Sequence, residues 1–273
     1  MSVNIEEYFR SRTREISYQR NHFERVWVAG NDICMEHYLY QNHMPEDAAP
    51  EDERLAFIKR MQGYGRNTLC DNRQLVMALE AIADAETSGV WDATSGFLQE
   101  LLPYWRLSIP MRTWVDDLRS LMMLFHCYRV IVWEERQLPA AYRAYLAEII
   151  KLTDAISAPL EEQCWEFISY MIMVFHDETI TCGMHLNGHV LEERLSARSL
   201  YSALVYQLLL HIAAGKDGLN GASIAVCESC RQAFMKEHGN QRFCKICRTP
   251  SNRVRSCRQR KKEATAHAPQ DHP

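Results

Sequence analysis

Half of the ten cysteines lie in one short segment near the C-terminal end of the chain. Four of them form two Cys-x2-Cys pairs, Cys227 with Cys230 and Cys244 with Cys247, and thirteen residues separate the pairs. Two intervening residues let both sulfurs of a pair point inward from one tight backbone turn, so two such turns can supply four thiolates to one tetrahedral ion. Because four thiolates leave no coordination position open, the spacing predicts one structural Zn²⁺ held by these four residues.

The residues around the two pairs are typical of a small hairpin followed by a helix. Phe234 and Phe243 flank a Gly-Asn turn, and their rings are expected to cover the apolar side of the metal. After the second pair, Thr249-Pro250 has the composition of a helix start. This order of turn, hairpin, turn and helix is the treble-clef arrangement. His238 and Cys257 are the alternative ligands in the same segment.

Charge is distributed unevenly along the chain, whose total is −4. From Cys227 to Lys262 there are eleven Lys or Arg and two Glu, a net charge of +9. Residues 263–273 carry −2, so residues 1–226 carry −11. A basic segment of this density on an acidic protein predicts contact with nucleic-acid phosphates. The candidate contact residues are Arg248, Arg253, Arg255, Arg258, Arg260 and Lys261.

Duplex DNA is the expected partner. Single-stranded nucleic acid is usually held by exposed aromatic rings, and the only rings near the cysteines, Phe234 and Phe243, are better explained as core. One small finger reads few bases, so tight binding needs a homodimer or a protein partner. We therefore expect a DNA-binding transcriptional regulator rather than an enzyme.

The first 213 residues have helical periodicity, and strand-like alternation is absent. Residues 114–125 and 200–210 are apolar nearly all round, which places both segments in the middle of a bundle. The fold class predicted is mainly α, with an N-terminal helical bundle followed by a small treble-clef zinc module. The predicted helices span roughly 4–20, 22–41, 51–62, 73–87, 94–107, 112–136, 139–156, 160–176 and 190–213.

Composition predicts four segments: a helical domain over 1–213, a linker over 214–221, a zinc finger over 222–263 and a disordered tail over 264–273. The linker is identified by three glycines in seven residues, 215–221. Cys182, His185 and His189 have the composition of a second metal site, but Gly183, Asn187 and Gly188 interrupt the helix that a His-x3-His pair would use, so a loop is expected there.

The N-terminal residues contain early acids and no apolar run, which argues against a secretory signal. The longest apolar stretches are too short or too interrupted to cross a bilayer. Cys34, Cys70, Cys127, Cys164 and Cys182 are scattered one to a segment, as expected for small buried residues rather than disulfides. We expect a reduced, cytoplasmic protein without a membrane partner.

The C-terminal quarter resembles the bacterial CGNR-type zinc fingers found at the C-terminal ends of stress-induced transcriptional regulators. The resemblance rests on the four spaced cysteines, Phe234, Gln241-Arg242-Phe243, Asn252-Arg253 and the basic helix that follows. It implies a treble clef, one zinc ion and DNA binding. The family motif is Cys-Gly-Asn-Arg, whereas here four residues separate Cys247 from Asn252.

Two other functions fit parts of the sequence. The protein could be an interaction scaffold whose basic helix folds onto acidic partners or onto its own acidic body. Alternatively, Arg119 and His126, with six residues between them, match the loose Arg/His pattern of helical HEPN ribonucleases. No P-loop, serine nucleophile elbow or His-Glu-x2-His motif is present.

Overall fold

The fold is mainly α with three small sheets, as a computed structural model of the full chain shows. This confirms the predicted mainly α class at that level. The structure describes residues 16–19, 23–37, 67–103, 108–151, 153–187, 190–215, 224–230, 232–236 and 241–248. The predicted helices over 51–62 and most of 4–20 lie outside these residues.

Six α-helices form most of the described structure. Their order is α1 (Asn72–Ser88), α2 (Gly96–Glu100), α3 (Met111–Trp133), α4 (Ala140–Ile150), α5 (Leu160–Thr179) and α6 (Leu200–Ala214).

Helix α6 is the centre of the protein, because its residues Leu200 through Ala213 are all buried. It packs against α1, α3 and α5 and against two strands of a sheet. Ser199 begins the helix, since its hydroxyl accepts a hydrogen bond from the backbone N–H of Ser202 at 3.1 Å. Both segments that were predicted to be apolar on all sides are therefore core helices, with α3 the second.

Helix α1 shows why the predicted boundaries near residues 73–87 were nearly right. Asp71 and Gln74 form a reciprocal capping box at its start, with hydrogen bonds of 2.9 and 3.0 Å. Gly89 ends the helix with a φ of 71°, a backbone conformation that glycine adopts without strain. The buried side of α1 consists of Leu75, Ala78, Leu79, Ile82 and Ala85.

The described residues contain nine strands, which form sheets of four, three and two strands in the orders β4-β1-β7-β6, β2-β3-β5 and β8-β9. In the largest sheet β1 is parallel to β7, and the other pairs are antiparallel. The strands are β1 (Ile16–Gln19), β2 (Phe23–Ala29), β3 (Asp32–His37), β4 (Asn67–Leu69), β5 (Ser108–Pro110), β6 (Ile180–Asn187), β7 (Val190–Ala197), β8 (Ile224–Val226) and β9 (Ala233–Met235).

The predicted helix over 22–41 is wrong, because β2 and β3 form a hairpin there, and β1 occupies the end of the predicted helix 4–20. Gly30 and Asn31 form the two-residue turn, and Gly30 has a φ of 64°. A Gly-Asn pair between runs of β-branched and aromatic residues is a hairpin signal. The strand pairing buries Ile33 and Met35 on the core side of the sheet.

The predicted helix over 190–213 is wrong in its first third. Residues Val190–Ala197 form β7, and the helix begins only at Leu200. The partner strand β6 contains Cys182 and His185, so the loop expected there is also wrong. Asn187 at the end of β6 pairs with Val190 at the start of β7.

The remaining predicted helices are partly confirmed. Within the described part of the predicted helix 94–107, the structure has only the five residues of α2, and β5 begins just after the predicted end, at Ser108. Helix α3 ends at Trp133, three residues before its predicted end. Glu134 follows α3 with a φ of 56°. The predicted helix 139–156 is α4 followed by a 3-10 turn over Asp154–Ser157. The predicted helix 160–176 corresponds to α5.

A buried polar group joins α1 to the central helix. The Oδ1 atom of Asn72 accepts a hydrogen bond from Gln207 Nε2 at 2.8 Å and lies 2.7 Å from His211 Nε2. His211 is 1% exposed, and burial lowers its pKa from 6.5 to about 4. In the folded protein, His211 is therefore a neutral imidazole that carries its proton on Nε2.

We expect acid to destabilise the protein partly through His211. The unfolded chain binds a proton at this histidine below about pH 6.5, whereas the folded chain stays neutral to about pH 4. The free energy of unfolding therefore decreases as the pH falls between these values. In His211→Gln, which keeps an N–H near Asn72 but does not titrate, the loss between pH 7 and pH 5 should be smaller by on the order of 1–2 kcal/mol.

Urea denaturation of both proteins at several pH values measures this difference. Effects of acid on other groups are common to wild type and variant and cancel in the comparison. Identical pH dependence in the two proteins would show that His211 is not held neutral by the fold.

Candidate metal centre

The four predicted ligands come together at one end of the protein. Strand β8 leads directly into Cys227, the first turn holds Cys230, and the second turn holds Cys244 and Cys247. The four Sγ atoms all lie within 4.8 Å of one another. Sequence spacing alone therefore identified all the residues that form this cluster within the described part of the chain.

Backbone hydrogen bonds hold the two turns in place. The N–H of Cys227 donates to the carbonyl of Gln232 at 2.9 Å, which closes the first turn onto the β8–β9 hairpin. The N–H of Arg248 donates to the carbonyl of Cys244 at 2.9 Å, which closes the second turn. The N–H of Glu228 donates to the carbonyl of Arg242 at 3.1 Å and joins the two turns to each other.

The sulfur geometry fits one metal ion. Four sulfurs at the usual Zn–S distance of about 2.3 Å stand about 3.8 Å apart in a regular tetrahedron. The Sγ atoms of Cys230 and Cys244 are 3.8 Å apart. The donor set is thus compatible with one four-coordinate ion.

The four thiols of the cluster resist ionising together when no cation is bound. Burial alone would raise the pKa of Cys227, but backbone N–H groups of Cys230, Cys244 and Ser229 donate to its sulfur, and together these bonds lower the pKa to about 7. Burial and the neighbouring Cys227 sulfur raise the pKa of Cys230 and Cys244. One thiolate therefore disfavours the next, and a bound dication removes that conflict.

Apolar side chains cover the cluster on the side away from solvent. Cys227 and Cys244 are buried with Ala225 and Phe234 in a small second core, and Phe243 packs against it. Cys230 lies at the surface. The expectation that the two phenylalanine rings belong to the core is confirmed for Phe234, which is 6% exposed, and Phe243 is partly buried beside it.

The four-cysteine cluster is packed on the helical body, a contact that nothing in the sequence predicted. The hydroxyl of Tyr128 on α3 donates to the carbonyl of Ile224 on β8 at 2.6 Å, in a buried position. Trp133, the last residue of α3, packs against both the main core and the small core around the cysteines. The Lys236 ammonium lies 5.4 Å from the centroid of the Trp133 ring. Ile224, Val226 and Ala233 belong to the main core itself.

The predicted nucleic-acid contacts are mostly outside the described part of the chain. Arg248 lies at the surface directly after the second cysteine turn. Of the remaining predicted contacts, Arg253, Arg255, Arg258, Arg260 and Lys261 lie outside the described residues, as do Thr249-Pro250, His238, Cys257 and His189.

The two residues of the ribonuclease pattern lie on the same face of α3, but only Arg119 reaches the surface. Their seven-residue separation on α3 corresponds to about 10 Å along the helix axis. Arg119 is half exposed, whereas His126 is buried beside the Tyr142 ring, with centroids 4.4 Å apart. Burial, and secondarily the charge of Arg129, lowers the pKa of His126 to about 3, so its protonated form is absent near neutral pH.

None of the helices in the described segments is long and apolar enough to span a bilayer. Comparisons with protein-family models, curated proteins and solved structures gave no match to this chain.

We expect the purified protein to contain about one metal ion per chain, and the double variant Cys244→Ser/Cys247→Ser to contain none. Elemental analysis by mass spectrometry after purification without chelators measures both. Cys34→Ser is the matched control, because Cys34 lies on β3 and is not part of the cluster. A metal-free wild type, or a double variant that keeps its metal, contradicts the assignment.

Metal removal should also change the environment of Trp133, because this residue packs against both the helical body and the four-cysteine cluster. Addition of a chelator is expected to change the Trp133 fluorescence, and Trp133→Phe should remove that change.

Tyr128→Phe should lower the free energy of unfolding by about 1–2 kcal/mol, since the buried carbonyl of Ile224 loses its donor.

Tyr170→Phe is the control for the lost hydroxyl, because Tyr170 is exposed on α5. Chelation that leaves the fluorescence of the wild type unchanged, or equal stability of Tyr128→Phe and Tyr170→Phe, would show that the metal centre and the body are independent.

Proposed function

We propose that this protein is a zinc-containing nucleic-acid-binding protein, most simply a DNA-binding transcriptional regulator. The observation that carries the proposal is the four-thiol cluster, whose last turn ends at exposed Arg248, where the basic segment 248–262 begins. A small metal-held module followed at once by dense positive charge has the construction of a phosphate-binding finger.

Zinc is the metal best matched to the cluster. Thiolates are soft ligands that favour zinc or iron over magnesium and calcium, and four of them complete a tetrahedron. A closed site of this kind stabilises a fold and offers no position to a substrate. The ion would therefore fix the start of the basic segment, and the treble-clef arrangement and the likeness to CGNR-type fingers belong to this proposal.

The charge distribution supports contact through one segment only. Residues 227–262 carry +9, while residues 1–226 carry −11 and would repel a phosphate backbone. Of the predicted contacts, Arg248 is already placed beside the cluster, and Arg253, Arg255, Arg258, Arg260 and Lys261 follow in sequence. Most of these residues would contact phosphate, which fixes position rather than base sequence.

The helical body would supply the contacts with a second copy or a protein partner that a single finger lacks. Two copies, or one copy and a protein partner, would double the number of phosphate contacts and allow two half-sites to be read. The eight cysteines whose side chains the structure describes are all free thiols, which fits a reducing compartment such as the cytoplasm.

Binding should fall steeply with salt. About six phosphate contacts on duplex DNA predict a slope near −5 in a plot of log K against log salt concentration. Fluorescence anisotropy with labelled duplex DNA, single-stranded DNA and RNA at several salt concentrations measures the slope and ranks the three ligands. The triple variant Arg253→Ala/Arg255→Ala/Arg258→Ala should bind more weakly and show a slope smaller by about three.

A charge-matched control separates this segment from general electrostatics. Arg73→Ala/Arg112→Ala/Arg143→Ala removes the same charge from exposed positions on α1, α3 and α4 and should not weaken binding. A flat salt response, or equal effects of the two triple variants, contradicts the proposal. Absence of any retardation at low salt favours the scaffold, and cleavage of the RNA favours the ribonuclease.

A further inference from the structure

A second site lies on the helical body, away from the cysteines. Helices α1, α3 and α4 enclose a half-open cleft of about 740 Å³, which is in the size range of small-molecule sites. Its walls include the aromatic rings of Trp91, Tyr142 and Tyr145, and its charged groups are Glu86 and Arg119. The cleft takes no part in the function proposed above.

The aromatic walls are fixed in position by their own neighbours. Trp91 meets Trp114 edge to face, with ring centroids 6.4 Å apart. The hydroxyl of Tyr145 lies 2.7 Å from the hydroxyl of Ser120 on α3. Tyr142 donates a hydrogen bond of 2.5 Å to Glu86 Oε1. A ligand that enters the cleft therefore meets rigid apolar surfaces and does not have to order them.

The guanidinium of Arg119 is held in the cleft but makes no hydrogen bond within the described part of the chain. It lies 5.7 Å from the centroid of the Trp91 ring, which fixes it by a cation–π contact. Its nearest acid oxygens, on Glu86 and Asp116, are both 3.9 Å away, beyond hydrogen-bonding distance. Its N–H donors are thus available to a carboxylate.

Glu86 likewise has acceptor capacity left. Its Oε1 atom takes the hydrogen bond from Tyr142, and among the described residues Oε2 has no partner. A carboxylate can accept about four hydrogen bonds, so the group can also receive an ammonium. The cleft therefore offers one anion and one cation, 3.9 Å apart, beside an aromatic wall.

We propose that this cleft binds a free α-amino acid with an aromatic or bulky apolar side chain. Its carboxylate would pair with Arg119, its ammonium with Glu86, and its side chain would lie against Trp91 and Tyr145. An α-amino acid carries its two charges on one carbon, which suits a pair of opposite charges set side by side. A simple anion would be opposed by Glu86 and a simple cation by Arg119, whereas a zwitterion satisfies both.

Isothermal titration of the full-length protein tests the proposal with L-phenylalanine and L-tryptophan as probes. Two analogues divide the charges: 3-phenylpropanoate lacks the ammonium, and 2-phenylethylamine lacks the carboxylate. Both analogues should bind at least about tenfold more weakly than L-phenylalanine, because a hydrogen bond between charged groups is lost in each case. L-Serine, which lacks the apolar side chain, should also bind weakly.

Two variants then assign each charge. Glu86→Gln should weaken L-phenylalanine at least about tenfold without weakening 3-phenylpropanoate, and Arg119→Gln should weaken L-phenylalanine without weakening 2-phenylethylamine. The matched controls are Glu148→Gln and Arg112→Gln, which change exposed residues outside the cleft and should bind as the wild type does.

The proposal is overturned if neither amino acid binds, if either analogue equals L-phenylalanine in the wild type, or if the control variants lose as much affinity as the cleft variants. The titrations need no nucleic acid. Their outcome is therefore independent of whether the C-terminal segment binds DNA, and the analogue series in the wild type stands even if a variant fails to fold.

Discussion

The complete burial of α6 is the constraint around which the protein is built. A helix with no solvent-exposed side must be covered in every direction, and α1, α3, α5 and the strands β1 and β7 provide that cover. The same burial requires that its polar residues find partners inside, which is why Asn72 at the start of α1 meets Gln207 and His211. One polar cluster thus fixes the register of α1 against the central helix.

The four-cysteine cluster is positioned by this core as well as by its own two turns. Tyr128 contacts His211 with one side of its ring, at a centroid distance of 6.4 Å, and reaches the β8 backbone with its hydroxyl. Trp133 extends the contact to the apolar cover of the cysteines. A continuous path of packed side chains therefore connects the central helix to the four sulfurs.

The sequence was most informative where local chemistry decides the structure. Apolar periodicity located α1, α3 and α5, and the Cys-x2-Cys spacing located all four sulfurs of the cluster. The sequence was misleading where a strand pairs with a segment far away in the chain. Strand β1 lies between β4 and β7, and Ile16 on β1 pairs with Leu195 on β7, 179 residues later. The Gly-Asn turn between β2 and β3 was a local signal that outweighs helical periodicity, and Ser199 marked the true start of α6.

The roles of Trp133 and of the cleft at Glu86 and Arg119 could not be predicted from local sequence signals, because they arise only when separate helices meet.

The shared position of Trp133 has a consequence for how the protein can be divided. Cutting the chain near residues 214–221 separates two surfaces that are both apolar: the end of α3 with Trp133 on one side, and Ile224, Val226 and Ala233 on the other. Each fragment would then expose what the other now covers, and such surfaces promote self-association. The two halves of this molecule therefore share one apolar interface, although one is acidic and helical and the other is small, basic and rich in cysteine.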